Sequence, residues 1–361
     1  MAEKKNQHFV PKVHLRYFAK DDKRRQIDVW LPKQDKVVSG ASIKSQCSKN
    51  YFYGRDLKIE NFFHSPEALF GRIVDQLIDS QNADPNSLES LLFLWLLQHI
   101  RAEKTITQQL LMMSAIRDKV LLGQEENDDV RDWLGPPMGT PEAMQMTLDC
   151  AKEYFKIISD LRCVLLINNT RSSFVLSDCP AVSSNKLILK RFMHYRNWGL
   201  ASAGLYLFMP LTPQLGFLAF DRHVYELVGR TGSICNLGAR DVTALNQLLY
   251  LFCNDLVVLA PNCDASATVN QLKTVATSKP ESTMRVHVAI EDQDQTQQGS
   301  KRFSIASDEE FADQSKGGLI HVESLPPIVP VHLPKLRIKH SPRFIDTRSG
   351  AGLKRYGTSC S

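Results

Sequence analysis

The hydrophobic positions fall into two regimes. Up to about residue 160 they recur at helical spacing, and beyond it short apolar runs alternate with turn residues. Leu69, Phe70, Ile73, Val74, Leu77 and Ile78 form one helical stripe, which predicts a helix ending near Asp79. Ser65-Pro66-Glu67 supplies its expected start: a capping hydroxyl, a proline at the first helical position and an acid at the positive helix end. A second helix is expected to open at Asn86-Ser87-Leu88-Glu89 and run to about Leu122. It is apolar all round from Leu91 to Leu97, which marks a buried helix. A third is expected from Pro141 to Ile158.

Ile27 to Leu31 alternates and is rich in β-branched residues, so it predicts a strand, and Ser39 to Asp56 reads as loop. From Leu161 onward the pattern is that of a sheet. Cys163–Ile167 and Phe174–Ser177 suggest a strand pair around Asn168-Asn169-Thr170-Arg171. Leu205–Met209 and Leu215–Phe220 suggest another around Pro210-Leu211-Thr212-Pro213. A helix over Arg240–Cys253 and strands at Leu256–Ala260 and Met284–Ile290 follow. Helices first and strands later predict an α+β fold, a helical N-terminal half packed with a mixed or antiparallel sheet from the C-terminal half. The expected organisation is one core over residues 1–263, an extension over 264–334 with a polar linker at 291–318, and a basic tail over 335–361. Leu325 to Pro330 reads as extended chain.

Composition changes this picture little: 43% hydrophobic and 23% charged residues are ordinary for a globular protein. Charge changes it more. From Lys335 to Ser361 there are seven Lys or Arg and one acid, Asp346, so the tail holds +6 of a net +5 and the rest sums to −1. Such a tail is expected to be disordered unless something acidic binds it. The polar start of the chain shows no secretory h-region, and no apolar run approaches the ~20 residues of a membrane span. The eight cysteines form no CxxC pair and several sit among apolar neighbours, such as Cys163 and Cys253. A reducing, cytoplasmic setting without a disulfide framework is expected.

No Walker loop, dinucleotide-binding glycine triplet, HExxH, GxSxG or calcium-loop pattern is present. What remains is a set of polar residues beside apolar sequence. His8, in Asn6-Gln7-His8-Phe9-Val10-Pro11, could transfer a proton, or simply pack beside Phe9. Gln98 and Arg101 follow the apolar helical run; they suit a phosphate clamp or, equally, a structural arginine–carboxylate pair. Ser177-Asp178-Cys179-Pro180 ends a strand, where a catalytic carboxylate or an ordinary turn would fit. Glu67 could share such a pocket or only complement its helix dipole. The basic tail could contact nucleic acid weakly by counterion release.

At these residues the chain resembles the bacterial family known as domain of unknown function 4238. The resemblance rests on Asn6-Gln7-His8-Phe9-Val10-Pro11 with Leu15-Arg16-Tyr17-Phe18, on Phe52-Tyr53 and Glu67, and on Gln98 with Arg101. It extends through Ser177-Asp178-Cys179-Pro180 and Pro210-Leu211-Thr212-Pro213 to Leu245-Asn246. It covers about residues 6 to 260. Two departures are Cys179, where the family often has Asn, and Ala102-Glu103, where it often has Thr-Pro. The resemblance implies no settled reaction, but some members are implicated in defence against phage.

The expectation is therefore an antiphage effector acting on nucleic acid or a nucleotide. His8, Glu67 and Asp178 would carry catalysis, and Gln7, Arg16, Gln98, Arg101 and Asn246 would bind substrate. No cofactor is identified, although the two carboxylates could hold a divalent metal. The competing expectation is a non-catalytic sensor of a phage component. In a third reading the same residues form a buried polar network that only specifies the fold.

Overall fold

The N-terminal run forms a short strand, β1 (Asn6–His8), followed by one and a half turns of helix, α1 (Lys12–Arg16). Pro11 divides them, since proline has no N–H to donate and suits a helix entry. The structure, a computed structural model, describes residues 5–124, 126–191, 198–279, 284–291, 303–312, 318–324, 332–347 and 352–356. Next come β2 (Gln26–Leu31), β3 (Lys36–Ser42) and β4 (Ser48–Asn50). The stretch from Ser39, expected to be loop, thus contains two strands; β4 pairs antiparallel with β1, placing His8 opposite Ser48.

Three long helices follow: α2 (Lys58–Ser80), α3 (Pro85–Arg101) and α4 (Glu103–Leu121). Two expected boundaries are corrected here. Ser65-Pro66 is not a helix start, because α2 begins two turns earlier. Ile59 and Phe63 extend its buried stripe upstream, and that burial outweighs the proline, which costs one helical hydrogen bond. The single long helix expected to Leu122 is two helices. Asp84, not Asn86, caps the first by accepting from the Asn86 and Ser87 N–H groups. The break falls at Ala102, whose backbone is extended (φ −62, ψ 135). Neither glycine nor proline marks it, and it leaves Arg101 as the last residue of α3. The shorter helices α5 (Asp128–Leu134), α6 (Thr140–Asp149) and α7 (Ala151–Ile158) complete the helical half; the helix expected from Pro141 to Ile158 is interrupted at Cys150.

The second half supplies β5 (Arg162–Ile167), β6 (Leu176–Ser177), β7 (Val182–Ser184), α8 (Lys186–Arg191), β8 (Tyr206–Pro210), β9 (Leu215–Phe220), β10 (Tyr225–Leu227), β11 (Arg230–Thr231) and β12 (Ile234–Asn236). Then come α9 (Ala239–Phe252), β13 (Val257–Leu259) and α10 (Ala265–Lys273). The central sheet runs β11-β12-β5-β9-β8-β7, antiparallel except for β12 beside β5. Its faces are buried against different helices. Leu165, Ile167, Phe217 and Met209 join the core that contains α2 and α3, while Val164, Leu166, Leu218 and Phe208 join the core that contains α9. Burial on both faces explains why these strands read as continuous apolar runs rather than alternation.

The hairpin expected between Cys163–Ile167 and Phe174–Ser177 does not form. β5 pairs with β9 and β12, whereas β6 crosses to a second antiparallel sheet, β3-β2-β13-β6. The β8–β9 hairpin and the α9 helix match expectation, and the whole is α+β with mixed and antiparallel sheets.

The extension is more ordered than its composition suggests. β14 (Met284–Glu291) pairs with β15 (Phe303–Ala306) and β16 (Gly318–Ser324), with α11 (Asp308–Ala312) between the last two. The expected linker thus carries a strand and a short helix; its residues 292–302 and 313–317 lie outside the described residues, as does the extended stretch 325–330. The expected disordered tail is corrected over its described residues, 335–347 and 352–356; residues 348–351 and 357–361 lie outside the described residues. β17 (Leu336–Ile338) pairs with β10, and β18 (Phe344–Thr347) forms a hairpin with β19 (Gly352–Arg355). Arg355 is buried, with its Nε 3.0 Å from an Asp160 carboxylate oxygen. A strong intramolecular partner, invisible in the local composition, fixes this end of the chain.

Candidate functional site

The N-terminal motif is held from several sides. Gln7 is fully buried; its Nε2 donates to the Gly54 carbonyl and its Oε1 accepts from the Tyr53 N–H. The His8 imidazole points to the Ile43 carbonyl, 3.2 Å from Nε2. Burial lowers its pKa to about 4, helped by the nearby Lys12 and Arg101 charges, so the ring is neutral near pH 7 and Nε2 is the donor. The His8 carbonyl accepts from Arg101 Nη2 and, at 3.3 Å, from the Tyr53 hydroxyl.

Arg101 is the hub. Its side chain is 3% exposed. Nη1 donates to Glu67 Oε1 at 2.9 Å, Nε to the Tyr53 hydroxyl at 3.2 Å, and the guanidinium lies 4.0 Å from the centre of the Phe63 ring. One turn back on α3, Gln98 Nε2 donates to the Phe9 carbonyl at 2.9 Å. These bonds fasten the N-terminal motif to α3 and, through Arg101, α3 to α2, and they meet the desolvation cost of a buried cation with a counter-charge and several acceptors.

Glu67, Gln98 and Arg101 also line one narrow cleft of about 20 Å³ between α1, α2 and α3, together with His14, Phe63 and Phe70. Its inner part has room for little more than one water molecule. His14 was not singled out from the sequence. It stands one helical turn after Pro11, which lines the same cleft, and that spacing is the signal that could have found it. Its Nε2 is 2.7 Å from the Pro210 carbonyl, and its ring centre is 4.8 Å from that of Phe70. Burial holds its pKa at about 4, so it too is a neutral Nε2 donor. The Pro210 carbonyl belongs to the Pro-Leu-Thr-Pro turn, so this turn and the N-terminal motif meet.

The other expected site residues lie elsewhere. The Asp178 carboxylate accepts from the backbone N–H groups of Asn254, Asp255 and Leu256, and so fixes the entry to β13. Burial raises its pKa, and those three hydrogen bonds oppose the rise. Asn246 donates to the Ser173 carbonyl and accepts from the Val175 N–H, clamping the segment before β6. Arg16 is exposed on α1. The structure thus gathers Glu67, Gln98 and Arg101 with the backbone of His8, but not the His8 imidazole, Asp178, Asn246 or Arg16. Among the described residues no three His, Cys, Asp or Glu side chains are disposed to hold a metal ion, and no helix is long and apolar enough to cross a membrane.

A family model described as "Protein of unknown function (DUF4238)" matches residues 6–262. No curated protein and no solved structure matches the chain.

Proposed function

For this chain, which belongs to the DUF4238 family, we propose a role in antiphage defence as a protein that binds a nucleotide, free or within a nucleic-acid strand, in the Glu67–Arg101 cleft. The observation that carries the reading is the convergence of Glu67, Gln98 and Arg101 with two aromatic rings at a single cleft. A carboxylate, an amide and a guanidinium offer both acceptors and donors to the edge of a base, and Phe63 and Phe70 offer apolar faces. The closed cleft holds little more than one water molecule, so entry of a base requires Phe63 and Phe70 to give way.

Binding is favoured over catalysis because the proton-transfer groups are spent on the fold. The His8 and His14 nitrogens donate to carbonyls, and Asp178 serves three backbone amides. A histidine with a pKa of about 4 is also a weak base at neutral pH. The cytoplasm is the proposed setting.

Calorimetric titration of the full chain with a panel of nucleoside mono- and triphosphates tests the reading. Saturable binding that Glu67→Gln weakens at least tenfold, without loss of the folded melt, supports it. Absence of binding across the panel, or retained antiphage protection in a folded Glu67→Gln variant, refutes it.

A further inference from the structure

Three arginines line one groove beside the central sheet. Arg162 opens β5 and pairs with Phe220, the last residue of β9. Arg222 lies two residues beyond Phe220, at the same end. Arg230 opens β11, and its Nη1 turns back to the Gly232 carbonyl in the turn before β12. With the first turns of α3 they line an open groove of about 580 Å³, far larger than the Glu67–Arg101 cleft.

The groove is electrostatically unbalanced. Glu89 is the one carboxylate on its lining, and among the described residues no carboxylate pairs with any of the three arginines. Arg162 and Arg222 are exposed. The basic C-terminal segment docks beside this end. Lys339 Nζ donates to the Arg222 carbonyl at 2.7 Å, and the Arg343 N–H donates to the His223 carbonyl at 3.1 Å. Part of the basic segment that the sequence places in a tail is therefore fastened to the chain at Arg222 and His223.

We propose that this groove binds the phosphate backbone of a nucleic-acid strand. Arg162 and Arg222 contact phosphates, Arg230 supplies a third contact, and Lys339 and Arg343 extend the track. A guanidinium fork matches phosphate oxygens, and a concave wall of unpaired cations focuses the field on a polyanion. Among the described residues no aromatic side chain lines the groove, and the contact we propose is to the backbone and not sequence-specific. The proposal is independent of the cleft and of what the cleft binds.

The test is fluorescence anisotropy of the full chain with labelled single-stranded DNA, single-stranded RNA and duplex DNA across a salt series. Each phosphate contact adds close to one unit to the slope of log affinity against log salt. With five cations on the track, wild type is expected to show a slope of about −4, and Arg162→Gln/Arg222→Gln to lose about 2 of it with at least tenfold weaker binding. Arg162→Lys/Arg222→Lys should keep the slope, and thermal melts confirm that each variant is folded. No binding by wild type at roughly 50 mM salt overturns the proposal. So does an unchanged slope in the glutamine variant, or a polyglutamate competitor as effective as nucleic acid. Titration of Arg162→Gln/Arg222→Gln with free nucleoside phosphates reads the cleft alone, so failure here and failure at the cleft are told apart.

Discussion

Arg101 reaches Glu67 from inside the fold: the two are 2.9 Å apart, yet the arginine side chain is 3% exposed and the glutamate side chain 29%. The pair is asymmetric, because only the cation depends on its partner for solvation. Glu67→Leu should therefore cost about 3 kcal/mol by stranding the cation. Glu67→Gln, which keeps an acceptor for Nη1, should cost about 1 kcal/mol. Arg101→Ala also takes one of two side-chain donors from the His8 carbonyl, leaving the Tyr53 hydroxyl, and should cost about 3 kcal/mol. Urea denaturation of the single and double variants checks this; equal costs for Glu67→Leu and Glu67→Gln would contradict the asymmetry.

Asp178 offers a sharper separation of roles. A carboxylate that accepts three backbone N–H groups is an architectural part, so Asp178→Ala should destabilise by about 2–4 kcal/mol. Asp178→Asn retains one acceptor oxygen and should lose less. An Asp178→Ala protein with wild-type stability but no antiphage protection would restore the residue to a chemical role.

Acid should destabilise the protein through its buried histidines. His8 and His14 have folded-state pKa values of about 4, below the ordinary 6.5. Between those values the unfolded chain takes up protons that the folded chain refuses. The stability from neutral burial is complete above pH 6.5 and falls as the pH drops toward 4, by up to about 1.4 kcal/mol per pH unit for each ring. His332, also near 4, adds in the same direction, whereas the raised pKa values of Asp178 and Asp221 work against it at the acid end. Urea midpoints at pH 7 and about pH 5 should differ accordingly, and His14→Gln should flatten the profile. A profile of undiminished slope in that variant would remove His14 from the account.

The C-terminal segment should matter to stability. Arg355 donates to Asp160 and to the carbonyls of Leu200, Ile157 and Ser202, while Leu336 and Leu353 are buried in the core that contains α9. Truncation before Lys335 should lower the melting temperature by several degrees or more, and Arg355→Ala should account for about 3 kcal/mol. Identical melts for the full and truncated chains would show that these contacts contribute nothing.

The sequence by itself determined the elements with strong local signals. The β8–β9 hairpin was legible because two apolar runs flank a turn rich in proline. Helix α9 was legible from its stripe, and the buried face of α3 from the run Leu91–Leu97. It also pointed to Gln98 with Arg101 and to Glu67, since an arginine one turn beyond an apolar run needs a partner. Tertiary packing alone decided the rest. It extended α2 past Pro66 because Ile59 and Phe63 found a core, broke the α3–α4 run at an alanine, and sent β6 into a different sheet from β5. It brought His14 into the cleft through a carbonyl 196 residues away, turned the His8 imidazole from the cleft to the Ile43 carbonyl, and engaged Asp178 with the entry to β13. Periodicity records which face of a segment avoids water, and it is local. The partner of a buried polar group is chosen by whichever distant backbone atom the fold brings within reach, and no local pattern encodes that.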